Sequence, residues 1–305
     1  MNLPLLIGVD FSSRPTRRKP ITLARGQLRG AVLQLQGALH FDTLDAFGAW
    51  LRQPGPWVGG FDLPFGLPRE LVEHLGWPGD WAACIDHYAG LSRPQIRDTF
   101  AAFCNARPVG GKFAHRACDR PAGSSPSMKW VNPPVAYMLH AGVPLLRAAG
   151  VWLPAHEPAR PLRKATTPPC DAGRLPDEPG HGDPARVALE AYPGLLAREL
   201  IGARSYKSDD RAKQTPERLI ARKDIVEALE QGRTRLGLRL KLSAAQRDAL
   251  ADDASGDALD AVLCLVQAGW AVRQPGPDCK PGTPSTPGWG LPATVDPLEG
   301  WITSA

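Results

Sequence analysis

Residues 5–13, with the sequence LLIGVDFSS, constrain the fold of this chain more than any other stretch. Apolar and β-branched residues run from Leu5 to Val9, which is typical of a buried strand, and Asp10 follows directly. Burying an ionised carboxylate is costly unless it has a partner. Asp10 therefore either caps a turn, as aspartate often does, or belongs to a set of metal ligands. The second interpretation requires further carboxylates from the rest of the chain.

The composition predicts a soluble globular protein. Hydrophobic residues make up 43% of the 305 residues and charged residues 22%, which is enough apolar material for a sizeable core. No apolar stretch approaches the roughly 20 residues of a membrane span, and the N-terminus lacks a signal-peptide pattern. The six cysteines are scattered, which predicts free thiols and a cytoplasmic location.

The first 68 residues predict the order strand, strand, strand, helix, strand. The later strands are expected over residues 21–25, 31–35 and 57–63, and the helix over residues 43–51. Residues 26–30 are the predicted turn, and Asp42 or Thr43 is the predicted N-cap of the helix. The fourth strand delivers a second carboxylate, Asp62, at its end.

Residues 69–185 are rich in Pro, Gly and Arg and predict a large, irregular, partly helical insertion after strand four. Within it we expect a helix over residues 134–149, kinked near Gly142 and Pro144, and a long loop over residues 153–184. The insertion and the second basic cluster near residue 210 carry many cations. Residues 93–174 contain twelve lysine and arginine residues but only four aspartate and glutamate residues. This excess predicts a polyanionic partner, nucleic acid first, or else a solvated basic surface.

The remaining residues predict a return to the core. A strand over residues 186–192 carries Glu190, and helices are expected over residues 195–201, 215–231, 243–251 and 257–272. The tail, residues 273–305, is loop-rich, and residues 298–302 are expected to pack back on the core. The sequence thus predicts a single α/β domain over residues 1–305, with its core in residues 1–68 and 186–272.

A pair of aspartates at the start of the last predicted helix is the most specific local signal. Asp257 and Asp260 stand at positions i and i+3, so both carboxylates share one helix face. The alternative explanation is a favourable interaction with the helix dipole. If the first and fourth strands are neighbours and this helix packs on them, the pair converges with Asp10 and Asp62. Crowded carboxylates repel one another, and Mg²⁺ or Mn²⁺ would resolve that repulsion and activate water against a phosphodiester.

Five short motifs carry a resemblance to a known group: GVDFSS, FDLPFGLP, HRACD, LEAYPG and GDALDAVLCL. In order and spacing they resemble a bacterial family of predicted ribonuclease H-like nucleases, domain of unknown function family 429. The DxxD pair is also similar to that of bacterial Holliday-junction resolvases in the same superfamily. The resemblance implies a ribonuclease H-like mixed β-sheet with helices on both faces. It also implies metal ligation by Asp10, Asp62, Asp257 and Asp260.

The chain departs from the best-known ribonucleases H in one respect. The end of the first predicted helix reads Trp50-Leu51-Arg52, where those enzymes carry an acid. Glu190 is our candidate to fill that catalytic role. It is otherwise a structural acid or a substrate contact at the end of its strand.

Basic side chains that face an acidic metal site would hold substrate phosphates. The candidates for substrate binding are Lys112, His115, Arg116, Lys207, Lys213 and Arg222. A zinc site built from Cys104, His115 and Cys118 is disfavoured, because the spacing is not compact and a fourth ligand is missing. The sequence also contains neither a G-x-S-x-G elbow nor a G-x-x-x-x-G-K-[ST] loop.

The leading functional hypothesis is a metal-dependent nuclease that hydrolyses phosphodiester bonds of DNA or RNA at an acidic two-metal site. One alternative is a non-catalytic nucleic-acid-binding protein with the same fold. Another is a hydrolase or phosphotransferase that acts on a nucleotide or a small phosphorylated molecule. The sequence predicts no membrane partner, and it leaves the oligomeric state open.

Overall fold

The computed structural model describes residues 4–157, 183–276 and 288–305. Within these ranges seven strands form one sheet. They are β1 (Leu5–Asp10), β2 (Ile21–Arg29), β3 (Val32–Phe41), β4 (Trp57–Asp62), β5 (Val151–Trp152), β6 (Asp183–Glu190) and β7 (Arg239–Lys241). Their order across the sheet is β5-β6-β4-β1-β2-β3-β7. β2 runs antiparallel to both its neighbours and the other pairings are parallel, so the sheet is mixed and mostly parallel.

Ten α-helices flank this sheet in the described part of the chain. They are α1 (Leu44–Leu51), α2 (Arg69–His74), α3 (Trp81–Ala89), α4 (Arg93–Asn105), α5 (Asp119–Ala122), α6 (Val135–Ala148), α7 (Pro193–Ile201), α8 (Pro216–Gln231), α9 (Ala244–Asp252) and α10 (Asp257–Ala271). None of the helices seen in these ranges has the length and apolar character needed to cross a membrane.

The sheet separates two apolar cores, and β1 contributes to both. Ile7 and Val9 pack among side chains of α1, α3, α4 and α6, whereas Leu6 packs among side chains of α7, α8 and α10. This division follows from the strand geometry, because successive side chains point to opposite faces. It explains why β1 is apolar almost throughout: both of its faces are covered by helices, as the sequence predicted.

Several predicted elements are confirmed. β1, β4 and α1 lie where the sequence placed them, and the Thr43 hydroxyl caps α1 by accepting a hydrogen bond from the Ala46 amide at 3.1 Å. The long helix of the insertion and the four helices after residue 190 are also present. The C-terminal segment packs back on the core through Leu298 and Ile302, both of which are buried.

Other predictions are wrong at their boundaries. The predicted turn over residues 26–30 is instead the end of β2, and the chain reverses at Gly30, whose φ is +61°. A shift in register between Arg25 and Gly26 lets both strands of this pair continue. β6 begins at Asp183 and ends at Glu190, and the short strand β7 was not predicted. Extension of β2 is favoured because Gln27, Leu28 and Arg29 pair with β3, which satisfies their backbone hydrogen bonds.

The insertion is more regular than its composition predicted. α4 begins with a complete capping box, in which Ser92 and Gln95 satisfy each other's backbone amides, and Pro94 occupies the first turn. α3 begins at Asp80, which accepts a hydrogen bond from the Ala83 amide at 2.9 Å. The cap residues are present in the sequence, but the many Pro and Gly residues around them led to a prediction of irregular structure. Most of the predicted loop over residues 153–184 lies outside the described residues.

Helix α10 packs with its backbone directly against the two central parallel strands. A Cβ atom placed at Gly8 of β1 would lie less than 3.0 Å from the carbonyl oxygen of Ala261 and the amide nitrogen of Leu265. A Cβ at Gly60 of β4 would meet the carbonyl oxygen of Cys264 equally closely. The absence of side chains at these positions therefore sets the distance between α10 and the sheet.

Replacing Gly8 by Ala should push α10 away from β1. We expect Gly8→Ala to lower the free energy of unfolding by about 3 kcal/mol or more, because the new methyl group overlaps backbone atoms that cannot rotate away. Urea denaturation would measure the loss. The matched control is Gly79→Ala, where a Cβ meets nothing within 4 Å. Equal stability of the two variants would contradict the packing described for α10.

Candidate functional site

Three aspartates converge at the carboxyl ends of the central strands. Asp10 of β1 and Asp62 of β4 are paired across the two parallel strands. Each follows its glycine by two residues, so both side chains point to the face covered by α10. Asp260 lies in the first turn of that helix. One carboxylate oxygen from each aspartate lies within 4.8 Å of the other two. The structure therefore brings together three of the four aspartates predicted as metal ligands.

Asp257, the fourth, stands apart from this group. It is the first residue of α10, and its side chain is 15% exposed, whereas that of Asp260 is inaccessible. An Asp257 carboxylate oxygen lies 4.0 Å from the amine of Lys19. Residues three apart on a helix differ by about 60° in direction and by nearly a full turn in height. That separation places Asp260 at the sheet and Asp257 nearer the rim.

Two adjacent residues hold the carboxylate of Asp260. The Tyr206 hydroxyl donates a hydrogen bond to Oδ1 at 2.6 Å, and the Lys207 amine forms an ion pair with Oδ2. Lys207 is thus one predicted substrate-binding residue that the structure places at the acids. Tyr206 was not predicted, because a tyrosine in a loop 50 or so residues before the helix gives no local signal of its partner.

The crowding of these carboxylates alters their proton affinities. Burial, then the charges of Asp260, Asp257 and Asp62, raise the pKa of Asp10 well above its usual value. Burial and the nearby Asp260 raise the pKa of Asp62 to about 7, although Lys207 opposes the rise. Near neutral pH the cluster therefore carries a strong affinity for positive charge, whether proton or cation.

Among the described residues, Lys207 is the basic side chain that forms an ion pair with this cluster. Burial by itself would lower the pKa of Lys207, but Asp260 and the neighbouring acids raise it overall, so the ammonium form persists. One ammonium group faces three carboxylates, which leaves the site net negative when all three are ionised. A further cation would be attracted there.

Asp10, Asp62 and Asp257 line a cleft of about 650 Å³, and Asp260 lies buried behind that lining. One wall is formed by residues 132–135 and Met138 of the insertion, and the other by the start of α7 and residues 204–207. Asp10 and Asp62 line the cleft and are partly exposed to it. The site is therefore accessible to a ligand of roughly nucleotide size.

Glu190 belongs to a different network from the three aspartates. It is aligned with Phe61 across β4 and β6, so its side chain points to the sheet face opposite that of Asp62. Its carboxylate accepts hydrogen bonds from the Phe65 amide at 2.9 Å and from the Arg116 guanidinium at 2.6 and 2.7 Å. This placement favours the structural role considered for Glu190 over the catalytic one.

Arg116, which the sequence predicted to bind substrate, lies in a buried network of ion pairs. The side chain is 1% exposed, and its guanidinium donates to Asp119, to Glu190 and to the backbone carbonyl of Glu299. The Glu299 carboxylate in turn accepts hydrogen bonds from the backbone amides of Arg69 and Ala117. Arg116 therefore joins the insertion, β6 and the C-terminal segment, and these partners occupy its guanidinium.

Arg222, which the sequence also predicted to bind substrate, is buried as well. This buried guanidinium donates to the carbonyl oxygens of Tyr206 at 2.7 Å and Ala251 at 2.6 Å. Because Tyr206 and Lys207 hold Asp260, Arg222 supports the acidic site from behind. The other three candidates, Lys112, His115 and Lys213, are exposed and do not line the cleft.

The raised pKa of Asp62 predicts a pH dependence of stability. A carboxyl with a pKa of about 7 when folded and 3.8 when unfolded binds its proton more tightly in the folded state. Its stabilising effect is complete below pH 3.8 and is lost as the pH rises through 7. In EDTA, we expect the free energy of unfolding to fall by about 1–2 kcal/mol between about pH 6 and 8.

Asp62→Asn should flatten this profile, because the variant has no carboxyl to titrate at this position. The matched control is Asp248→Asn on the exposed surface of α9, which should keep the slope. Denaturant titrations at several pH values would provide the comparison. A profile that Asp62→Asn leaves unchanged would exclude Asp62 as the group responsible.

The buried network predicts a structural phenotype for Arg116. We expect Arg116→Met to lower the free energy of unfolding by about 3–5 kcal/mol, because Glu190 and Asp119 would keep buried charges without a partner. Combining it with Glu190→Gln should recover part of the loss. If Arg116→Met unfolds like the wild type, the network does not stabilise the fold.

Comparisons with known proteins leave the function to be inferred from this site. No protein-family model matches the sequence, and neither a curated protein nor a solved structure matches the chain. The fold that is established is a mixed α/β sheet of seven strands flanked by helices, in the described ranges. Its membership of the ribonuclease H-like group stays a prediction.

Proposed function

We propose that this chain is a metal-dependent nuclease that hydrolyses phosphodiester bonds in DNA or RNA. The observation that carries the proposal is the convergence of Asp10, Asp62 and Asp260 beneath an open cleft. These three acids come from two strands and a helix, yet their carboxylates meet at one place. Their crowding is maintained against mutual repulsion by the packing of α10 on the sheet.

The donor set fits a hard divalent cation. Mg²⁺ and Mn²⁺ prefer carboxylate and water oxygens, and all three side chains offer carboxylates. Two oxygens on opposite sides of an octahedral Mg²⁺ lie about 4.2 Å apart. A spread of up to 4.8 Å therefore needs only small side-chain movements. Although Tyr206 and Lys207 contact Asp260, an ionised carboxylate retains further lone pairs for a cation.

Asp10, Asp62 and Asp260 would hold Mg²⁺ or Mn²⁺, and Asp257, which lines the same cleft, would interact with a second ion or its water shell. When bound, such a cation supplies Lewis-acid charge to a phosphoryl oxygen and lowers the pKa of water. Lys207 adds a fixed positive charge beside Asp260, and Tyr206 fixes the orientation of that carboxylate. The cleft orients the phosphodiester above these groups.

The placement of the acids also supports a ribonuclease H-like fold. The resemblance implied aspartates on the first and fourth strands and on a late helix, in the same sheet neighbourhood. β1 and β4 are adjacent and parallel, β2 and β3 extend the sheet from β1 as an antiparallel pair, and α10 covers β1 and β4. This arrangement is the second support for the proposal.

A non-catalytic nucleic-acid-binding protein is the second candidate. It is favoured by the contacts of Tyr206 and Lys207, which satisfy both oxygens of Asp260 from within the chain. If these contacts serve only to stabilise a buried acid, the site needs no metal. Metal-dependent cleavage separates the two candidates.

We expect the wild-type chain to cleave an oligonucleotide in Mg²⁺ or Mn²⁺ and Asp10→Asn to be at least about a hundredfold slower, more than is typical for loss of an outer-shell partner of a metal site. A panel of single-stranded, duplex, hybrid and branched substrates would identify the preferred nucleic acid. Mn²⁺ should also raise the melting temperature of the wild type. At a hundredfold excess over its dissociation constant, a bound ion adds about 2.7 kcal/mol to the free energy of unfolding. This second measurement reads out binding without activity.

Asp248→Asn serves as the matched control, because it removes one exposed carboxylate far from the cleft lining. It should retain full cleavage and the full response to Mn²⁺. Cleavage of nucleotides or small phosphate esters, without cleavage of any polymer, would instead support a small-molecule hydrolase. Absence of both metal binding and cleavage would reject the proposed function.

A further inference from the structure

The connection between β1 and β2 carries four cations and no acid. Residues 11–20 read FSSRPTRRKP, with Arg14, Arg17, Arg18 and Lys19. The connection begins directly after Asp10, and Phe11, Ser12, Ser13 and Lys19 line the cleft. Its arginines therefore stand at the rim of the candidate active site.

Hydrogen bonds give this connection a defined shape. The Thr16 amide donates to the Lys19 carbonyl at 3.0 Å, and the Lys19 amide donates to the Thr16 carbonyl at 3.1 Å. This reciprocal pair makes a tight turn with Arg17 and Arg18 at its tip. The base is fixed as well, because Arg93 donates to the Ser13 carbonyl at 2.8 Å and Lys19 forms an ion pair with Asp209. We call residues 14–19 the arginine turn.

The three arginines of this turn are exposed and carry unbalanced charge. Within the described ranges none of Arg14, Arg17 and Arg18 has a carboxylate within 4.0 Å. Like charges held on a short, fixed turn repel one another, so an anion that bridges them would be stabilised there. A guanidinium suits phosphate in particular, because it can donate two parallel hydrogen bonds.

Four arginines of the insertion, by contrast, are paired with acids of the chain. Arg116 is buried, and Arg97, Arg107 and Arg147 form ion pairs with Asp98, Glu70 and Asp86, respectively. These cations are already balanced by acids of the chain. The arginine turn therefore offers more unbalanced positive charge beside the cleft than these residues of the insertion do.

We infer that the arginine turn binds the phosphate backbone of a nucleic-acid strand whose reacting phosphodiester lies over Asp10, Asp62 and Asp260. This inference rests on the proposed function and deepens it, because it makes the substrate a polymer that extends beyond the cleft. A mononucleotide would fill the cleft without reaching the tip of the turn. Phosphates recur along a strand, so those flanking the reacting one would meet the three guanidinium groups.

The test compares two triple variants in their affinity for a labelled single-stranded oligodeoxynucleotide. One replaces Arg14, Arg17 and Arg18 with Gln. The matched control replaces Arg29, Arg52 and Arg273 with Gln. These three are also exposed and lack an ion pair in the described ranges. They lie near the end of the central strands opposite Asp10 and Asp62, where β1 begins. Both variants change the net charge equally. Fluorescence anisotropy in EDTA, between about 50 and 200 mM salt, measures binding without cleavage.

We expect the arginine-turn variant to bind at least about tenfold more weakly than the wild type at low salt. Its slope of log affinity against log salt should fall by about 2, since each phosphate contact to a single strand contributes about 0.7. The control variant should bind within about twofold of the wild type. Circular dichroism would confirm that both variants retain the fold.

Other outcomes separate this inference from the proposed function. Equal weakening of both triple variants, or no weakening of either, would overturn the arginine turn as the binding surface. Metal-dependent cleavage of an oligonucleotide by the wild type would then still support the proposed function. Selective weakening of the arginine-turn variant, with no cleavage in any metal, would support the surface and reject the nuclease.

Discussion

The contact between α10 and the two central strands is the interaction on which the rest of the site depends. Helix backbone lies against strand backbone at Gly8 and Gly60, where any side chain would overlap it. The same contact fixes the height of Asp260 above Asp10 and Asp62. An ordinary helix–sheet interface with side chains between the layers would hold these carboxylates farther apart. Because Gly8 and Gly60 allow this close packing, the three carboxylates lie close together. Their repulsion destabilises the fold and favours binding of a cation.

The ammonium group of Lys207 and the hydroxyl of Tyr206 offset part of the repulsion between these carboxylates. Lys207 and Tyr206 approach Asp260 from a loop, and Arg222 holds that loop through the Tyr206 carbonyl. The acids thus form a cluster that is stabilised but not neutralised. A site of this kind favours cations and positions them at a cleft floor, and the exposed arginines at the rim provide charge of the opposite sign for a polyanion.

A second buried network has a different purpose. Arg116 links Glu190 of β6 with Asp119 and with the backbone of the C-terminal segment. Three distant parts of the sequence therefore meet at one guanidinium, and each charge is paired by geometry that only the folded chain provides. These contacts tie the segment around Arg116 in the insertion to β6 and to the C-terminal segment. Arg116 and Arg222, which the sequence predicted to bind substrate, are both buried among partners within the chain.

The sequence by itself determined the central strands, most helices and the acids at strand ends, because these follow from apolar periodicity, caps and breaks read over a few residues. It predicted that Asp10, Asp62, Asp257 and Asp260 converge if the first and fourth strands are neighbours and the last helix packs on them. Tertiary structure alone decided that Asp257 stands apart, that Glu190 points to the other sheet face, and that Arg116 and Arg222 are buried. The physical reason is that a charge has no local signature of its partner. Whether an arginine meets a carboxylate, a carbonyl or solvent depends on residues far away in the chain, and only packing brings them together.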